Sequence, residues 1–185
     1  MLEKKLICMS QTLNSSLLLA SLAQIIFPSQ NSSQPSLILL IGLPGSGKST
    51  LAQKILQECP QMRLLGTDAI RGQLFGNEAI QGSWLLIWRE IRRQFSQAQS
   101  QNQSIIFDAT NAQRRQRRDM INLARDSGMV TITAIWLQTP VWLCLARNRN
   151  RGRKVPEDVI FRMYRQLRDV PPSTTEGIDH ILTLM

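Results

Sequence analysis

Five apolar runs, at residues 37–41, 62–65, 104–107, 130–137 and 178–184, divide the second half and middle of the chain at near-regular intervals. The first is continuous rather than alternating, the pattern of a strand buried on both faces of a parallel sheet. Between the runs the apolar positions fall three and four apart. Leu51 and Ile55, with Ala52, share one face of a helix over 48–58 that Pro60 ends. Trp84, Trp88, Ile91 and Phe95 lie at helical spacing within 81–101 and predict a core-facing stripe. Further helices are predicted over 69–75, over 112–127 with Gly128 as its stop, after Pro140, and after Pro156, where Val159, Met163 and Leu167 share a face. Strand and helix alternate throughout, so the expected fold is α/β with a central parallel sheet of about five strands.

The stretch 1–35 does not join this alternation and is expected to be an N-terminal extension to a domain over 36–185. Lys4 and Lys5 precede an apolar patch at 17–20 that continues through Leu22, Ala23, Ile25, Ile26 and Phe27. Ser21 and Gln24 interrupt it, and it falls short of a membrane span. An amphipathic helix docked on the domain and a disordered extension are both open. Residues 28–36, rich in Ser, Gln, Asn and Pro, read as a linker.

Composition adds a preference for anionic partners. The 185 residues suit one domain with a real core, and 43% hydrophobic content argues against disorder. The formal charge of +9 favours a nucleotide, nucleic acid or phosphorylated substrate, though a plain basic surface has the same sum. The three cysteines, Cys8, Cys59 and Cys144, form no C-x-x-C, and the single histidine, His180, is expected to be packed in the last strand. Zinc and a disulfide framework are therefore not expected, and reduced thiols fit a cytoplasmic location.

The chemistry concentrates where the first apolar run stops. Gly42-Leu43-Pro44-Gly45-Ser46-Gly47-Lys48-Ser49-Thr50 has the P-loop spacing, between a strand and a helix. The glycines let successive N–H groups curl inward onto phosphate, Lys48 supplies a cation for the β- and γ-phosphates, and Ser49 offers a hydroxyl to Mg²⁺. The second strand ends in Thr67-Asp68-Ala69-Ile70-Arg71 and the third in Asp108-Ala109-Thr110-Asn111. In a parallel sheet all three ends open at one rim, where ligands bind. Two arginine-rich stretches remain: 114–118 and 125 on one helix, and 147–154 ahead of Pro156.

In these motifs the chain resembles the P-loop kinase family that includes the kinase domain of phage-type polynucleotide 5′-kinase and related small AAA-type ATP-binding kinases. The resemblance runs from residue 37 to the C-terminus through the P-loop, Asp68-x-x-Arg71, Phe107-Asp108-Ala109-Thr110-Asn111, and Arg147-x-x-x-Arg151-Gly152 with Pro156. It implies a three-layer P-loop fold with a basic lid and transfer of the γ-phosphoryl group of ATP, with Mg²⁺, to an acceptor hydroxyl. It also implies roles. Asp68 is base toward the hydroxyl, Arg71 holds an acceptor phosphate, and Asp108 and Asn111 support the acceptor side. Arg151 closes over the transferring group, and Arg147 lies nearer the nucleotide. The leading acceptor is a polynucleotide 5′-hydroxyl. A small-molecule kinase, a nucleotide-dependent binding or regulatory module, and a nucleic-acid binder working through 114–118 are the alternatives. The expectation is for a kinase domain by itself, without the phosphatase or ligase domains that accompany some polynucleotide kinases.

Overall fold

The computed structural model describes residues 34–185, so the expected N-terminal helix or extension lies outside the described residues. Five strands, β1 (Ser36–Ile41), β2 (Arg63–Gly66), β3 (Ile105–Asp108), β4 (Thr131–Leu137) and β5 (His180–Leu184), form one sheet in the order β2-β3-β1-β4-β5. All four pairings are parallel. The helices are α1 (Lys48–Glu58), α2 (Thr67–Phe75), α3 (Trp84–Ser100), α4 (Arg114–Asp126), α5 (Val141–Arg149) and α6 (Glu157–Asp169), with a short 3-10 turn over Thr174–Glu176 before β5.

β1 is apolar without alternation from Leu37 to Ile41 because both its faces are covered. Leu37, Leu39 and Ile41 of β1 pack into a large core with Ile91 and Phe95 of α3, Ile121 of α4 and Ile160 of α6. Ile38 and Leu40 point the other way, onto Leu51, Ala52 and Ile55 of α1. Three layers follow directly. Burying a Leu or Ile side chain is worth about 1.5–3 kcal/mol, and every apolar residue of β1 is fully buried. β1 is therefore a fixed central rail whose carboxyl end can carry a precisely placed loop.

Two expectations fail in instructive ways. The buried face of α3 is Ile87, Ile91, Phe95 and Ala98; Trp84 is 52% exposed and Trp88 only partly buried. Ile87 belongs to the same spacing series as Ile91, and tertiary packing rotated the helix toward it. His180, expected to be packed, is exposed at the first residue of edge strand β5.

Candidate active site

The loop after β1 is shaped by backbone and clamped by its neighbours. Gly45 and Gly47 have φ of 82° and 98°, left-handed values that favour glycine. A Cβ on Gly45 would also lie 2.5 Å from the Cys144 carbonyl oxygen of α5. Three bonds hold the loop from outside. The Gly42 N–H donates to Thr110 O at 3.1 Å, Asn111 Nδ2 donates to Leu40 O at 2.7 Å, and Thr139 Oγ1 donates to Ser46 O at 2.9 Å. Gly47 caps α1 with no side-chain acceptor, and no acid stands in the first turn. The N–H groups there point at open space with the positive end of the helix dipole behind them, an arrangement that receives anions.

Lys48 is 8% exposed, and its Nζ donates to Gly42 O at 2.9 Å and Leu43 O at 2.8 Å. Burial pushes its pKa down to about 8, against the pull of the nearby Asp108 carboxylate and with a smaller push from Arg151. Carbonyl dipoles, not a paired carboxylate, hold this ammonium, so an incoming phosphate is its natural counter-ion.

A cavity of about 490 Å³ opens beside the loop, lined by residues 45–51 with Lys54, Leu137, Arg147 and Arg151. Both predicted lid arginines thus stand over the P-loop, and Arg147 Nη1 donates to Gly45 O at 3.4 Å. Arg149, between them on α5, turns away to Glu157 at 2.7 Å. Asn148 was not anticipated from the sequence. It is 2% exposed, its Nδ2 donates to Val155 O at 2.8 Å, and its Oδ1 accepts from Val155 N–H at 3.0 Å. That reciprocal pair closes 149–155 into a loop and aims its arginines.

The acceptor-side residues form a second group. Gly66 starts α2 without a side-chain cap, so Asp68 is not occupied as a helix cap. Its Oδ1 instead accepts from Arg71 Nη1 at 2.7 Å and lies 2.6 Å from Arg153 Nη1. Arg153 is the other residue the sequence reading missed; the spacing of two from Arg151 was the available signal, since it places neighbours on different sides of a loop. The Arg71 Nε is buried without a protein partner. Asp108 ends β3 in register with Gly66 of β2, level with the start of α2, and is partly buried.

Two polar residues behind the site, one of them an expected site residue, hold the scaffold. Asn111, expected beside the acceptor, is 4% exposed with φ of 51°, and its amide nitrogen is taken by Leu40 O and, at 3.3 Å, Ala109 O. It fixes the β3 loop to β1. Arg117, within the arginine-rich stretch 114–118, is fully buried. Its Nε and Nη2 each donate to Glu176 at 2.7 Å, and its remaining N–H groups reach the carbonyls of Asn111, Ala112 and Val170. Among the described residues Cys59 and Cys144 are free thiols, no group of three His, Cys, Asp or Glu gathers as a metal site, and no helix is long and apolar enough to cross a membrane.

A glycine loop on the central strand of a five-stranded parallel sheet, opening into α1 beneath two arginines, defines a P-loop kinase fold. The chain belongs to the AAA domain family, whose model matches residues 37–170. It is 32% identical over 168 residues to an L-seryl-tRNA(Sec) kinase of Methanococcus maripaludis, covering 78% of this chain and 61% of that protein's length. In solved structures it superposes on a chain of the Pnkp1/Rnl/Hen1 RNA repair complex with a TM-score of 0.66, at 24% identity over 81% of this chain and 48% of the other. A gluconokinase from Sinorhizobium meliloti 1021 gives 0.53 at 18% identity, over 81% and 82%. These likenesses carry the fold.

Proposed function

We propose that the chain is an ATP-dependent phosphotransferase acting on a hydroxyl carried by a polynucleotide, a 5′-hydroxyl first. The observation that carries this reading is the pairing of two sites at one rim. Lys48 lies in an anion-receiving loop at the end of β1, and Asp68 with Arg71 at 2.7 Å stands at the end of β2. A module that only bound nucleotide would have no use for that carboxylate.

Phosphoryl transfer runs through a loose transition state, so positioning and charge do most of the work. The loop N–H groups and Lys48 hold the β- and γ-phosphates. Arg147 and Arg151 bring positive charge to the transferring group from the open side of the cavity. Asp68 receives the acceptor hydroxyl and takes its proton as the bond to phosphorus forms; ADP leaves. For that step Asp68 exchanges Arg153 for the hydroxyl, while Arg71 turns to an acceptor phosphate, which a guanidinium can grip with two bonds. Ser49 is exposed at the first turn of α1, where its hydroxyl would suit Mg²⁺, and the ion would supply positive charge to the phosphates of ATP. A cytoplasmic setting, where ATP is plentiful, belongs to the same reading.

A second reading, a seryl hydroxyl on tRNA, is favoured by the 32% identical relative. The test is transfer from labelled ATP with Mg²⁺ to 5′-hydroxyl RNA and DNA, seryl-tRNA, nucleosides and gluconate, with Lys48→Ala as control. Label on 5′-hydroxyl ends is expected, and it disappears in Lys48→Ala while the fold persists. Label only on seryl-tRNA moves the assignment to the second reading, and label only on gluconate or a nucleoside overturns both.

A further inference from the structure

The exposed tryptophan of α3 has no part in the site above. Trp84 stacks on Trp88 with ring centroids 6.2 Å apart and planes at 28°, yet remains 52% exposed. Its position along the sheet can be fixed. Arg63, at the amino end of β2, donates to Gln97 Oε1 at 2.8 Å, so Gln97 stands at the amino edge of the sheet. Trp84 is more than three turns earlier, roughly 20 Å along the helix at 1.5 Å per residue. That places it at the carboxyl-end rim, the side on which Asp68 stands. α4 starts from the same rim, directly after the β3 loop.

Between α3 and α4 runs a groove of about 480 Å³. Trp88, Arg92 and Gln99 line one wall and Asp119, Asn122 and Asp126 the other. Four residues before Trp88, Asp119 and Asn122, and so one turn nearer the rim on the same faces, come Trp84, Arg115 and Arg118. The groove mouth is an aromatic face opposite two guanidinium groups. Arg115 and Arg118 are exposed, and among the described residues neither forms an ion pair. They crowd the first turns of a helix with no acid in its first turn, where the dipole already disfavours cations. Arg117, in the same turn, has Glu176. The other two are left to solvent, with their donors available to an anionic partner.

We propose that the mouth of the α3–α4 groove binds a single-stranded polynucleotide, one base stacking on Trp84 and backbone phosphates meeting Arg115 and Arg118. The surface holds the body of the strand whose end is presented to Asp68; it rests on the polynucleotide-acceptor reading and extends it. A single strand fits because stacking requires an unpaired base face. Asp119 and Asp126, deeper in the groove, repel phosphate and keep the backbone at the rim.

The test is binding of fluorescein-labelled single-stranded RNA and DNA of about ten nucleotides, a length within the usual single-strand site size, followed by anisotropy without ATP. Trp84→Ala is expected to weaken binding about tenfold, the worth of one stacked base. Arg115→Gln with Arg118→Gln is expected to flatten the log–log salt dependence by about 1.4, two phosphate contacts on a single strand. Unchanged affinity and salt slope in these variants overturns the proposal. So does a wild-type dimer in sedimentation that Trp84→Ala dissolves, which makes the patch a protein interface. If strands bind through Trp84 but no oligonucleotide is phosphorylated, the surface stands and the acceptor reading falls. If oligonucleotides are phosphorylated with one KM in wild type and Trp84→Ala, the surface falls and the acceptor reading stands.

Discussion

Two arginine-rich stretches, 114–118 at the start of α4 and 147–153 at the end of α5, look alike in sequence, yet Arg117 in the first and Arg151 in the second do opposite things. In the first, Arg117 is fully buried against Glu176, with backbone carbonyls taking its remaining donors. It welds α4, the β3 loop and the segment before β5 into one body. In the second, Arg147 and Arg151 are exposed over the P-loop, and Arg153 reaches Asp68. The lesson is about counter-charges. An arginine with a buried carboxylate partner and no water is a structural bolt. An arginine whose surroundings leave guanidinium donors facing a cavity is available to a ligand.

The largest expected effect is on catalysis. Arg151→Ala should lower turnover about 10³-fold, the low end for an arginine acting on a transferring phosphoryl group, with the thermal midpoint unmoved. Single-turnover kinetics beside thermal melting checks it; weaker ATP affinity at normal turnover would put Arg151 in ground-state binding and break the contrast. The mirror experiment is Arg117→Met. It strands the buried Glu176 carboxylate and should cost about 3–5 kcal/mol of stability in urea unfolding, while molecules that remain folded keep their turnover. Adding Glu176→Gln should restore part of the loss.

Asn148→Ala tests whether the second stretch needs a scaffold of its own. Losing both bonds to Val155 should cost about 1–3 kcal/mol, the range for stranding partly buried backbone groups, and speed hydrogen exchange at Val155. Unchanged exchange would mean that the loop is shaped by something else. Lys48 sharpens the comparison from a third side, since it is buried like Arg117 but lacks a carboxylate bonded to it. Its folded pKa near 8 lies below the ordinary 10.5. Between those values the unfolded chain holds the proton and the folded one does not, so this group's contribution to stability rises with pH across the window. ATP affinity should move the other way, falling up to about tenfold per pH unit above 8, because phosphate binding must first restore the ammonium. Calorimetric titration at several pH values reads this out, and a flat affinity up to pH 10 would remove Lys48 from the phosphate site. The smallest effect belongs to Arg149→Ala. Its pair with Glu157 is exposed, and exposed pairs contribute little, so neither the melting temperature nor turnover should shift measurably.

The alternation of apolar runs and helical stripes was enough to determine the α/β fold, the position of every strand to within a few residues, and the P-loop at the end of β1. These features are local: a buried strand needs a continuous apolar run, and a phosphate cradle needs glycines at fixed offsets, whatever packs around them. What tertiary structure decided was which partner each polar side chain found. Helical spacing with Met120, Ile121 and Ala124 puts Arg117 on the buried face of α4, away from Arg115 and Arg118, but it does not supply the partner: Glu176 lies 59 residues away and only the packing of the 3-10 turn on α4 brings it near. Nothing near Asn111 says that its amide would turn down onto Leu40 instead of out toward an acceptor, since that depends on how β3 sits against β1. The rotation of α3, which left Trp84 at the surface and buried Ile87, was likewise set by the competing fit of two apolar faces against α2, α4 and the sheet. Period determines that a helix has a buried face. Contact between elements distant in the chain determines which face, and which charges are left for a ligand.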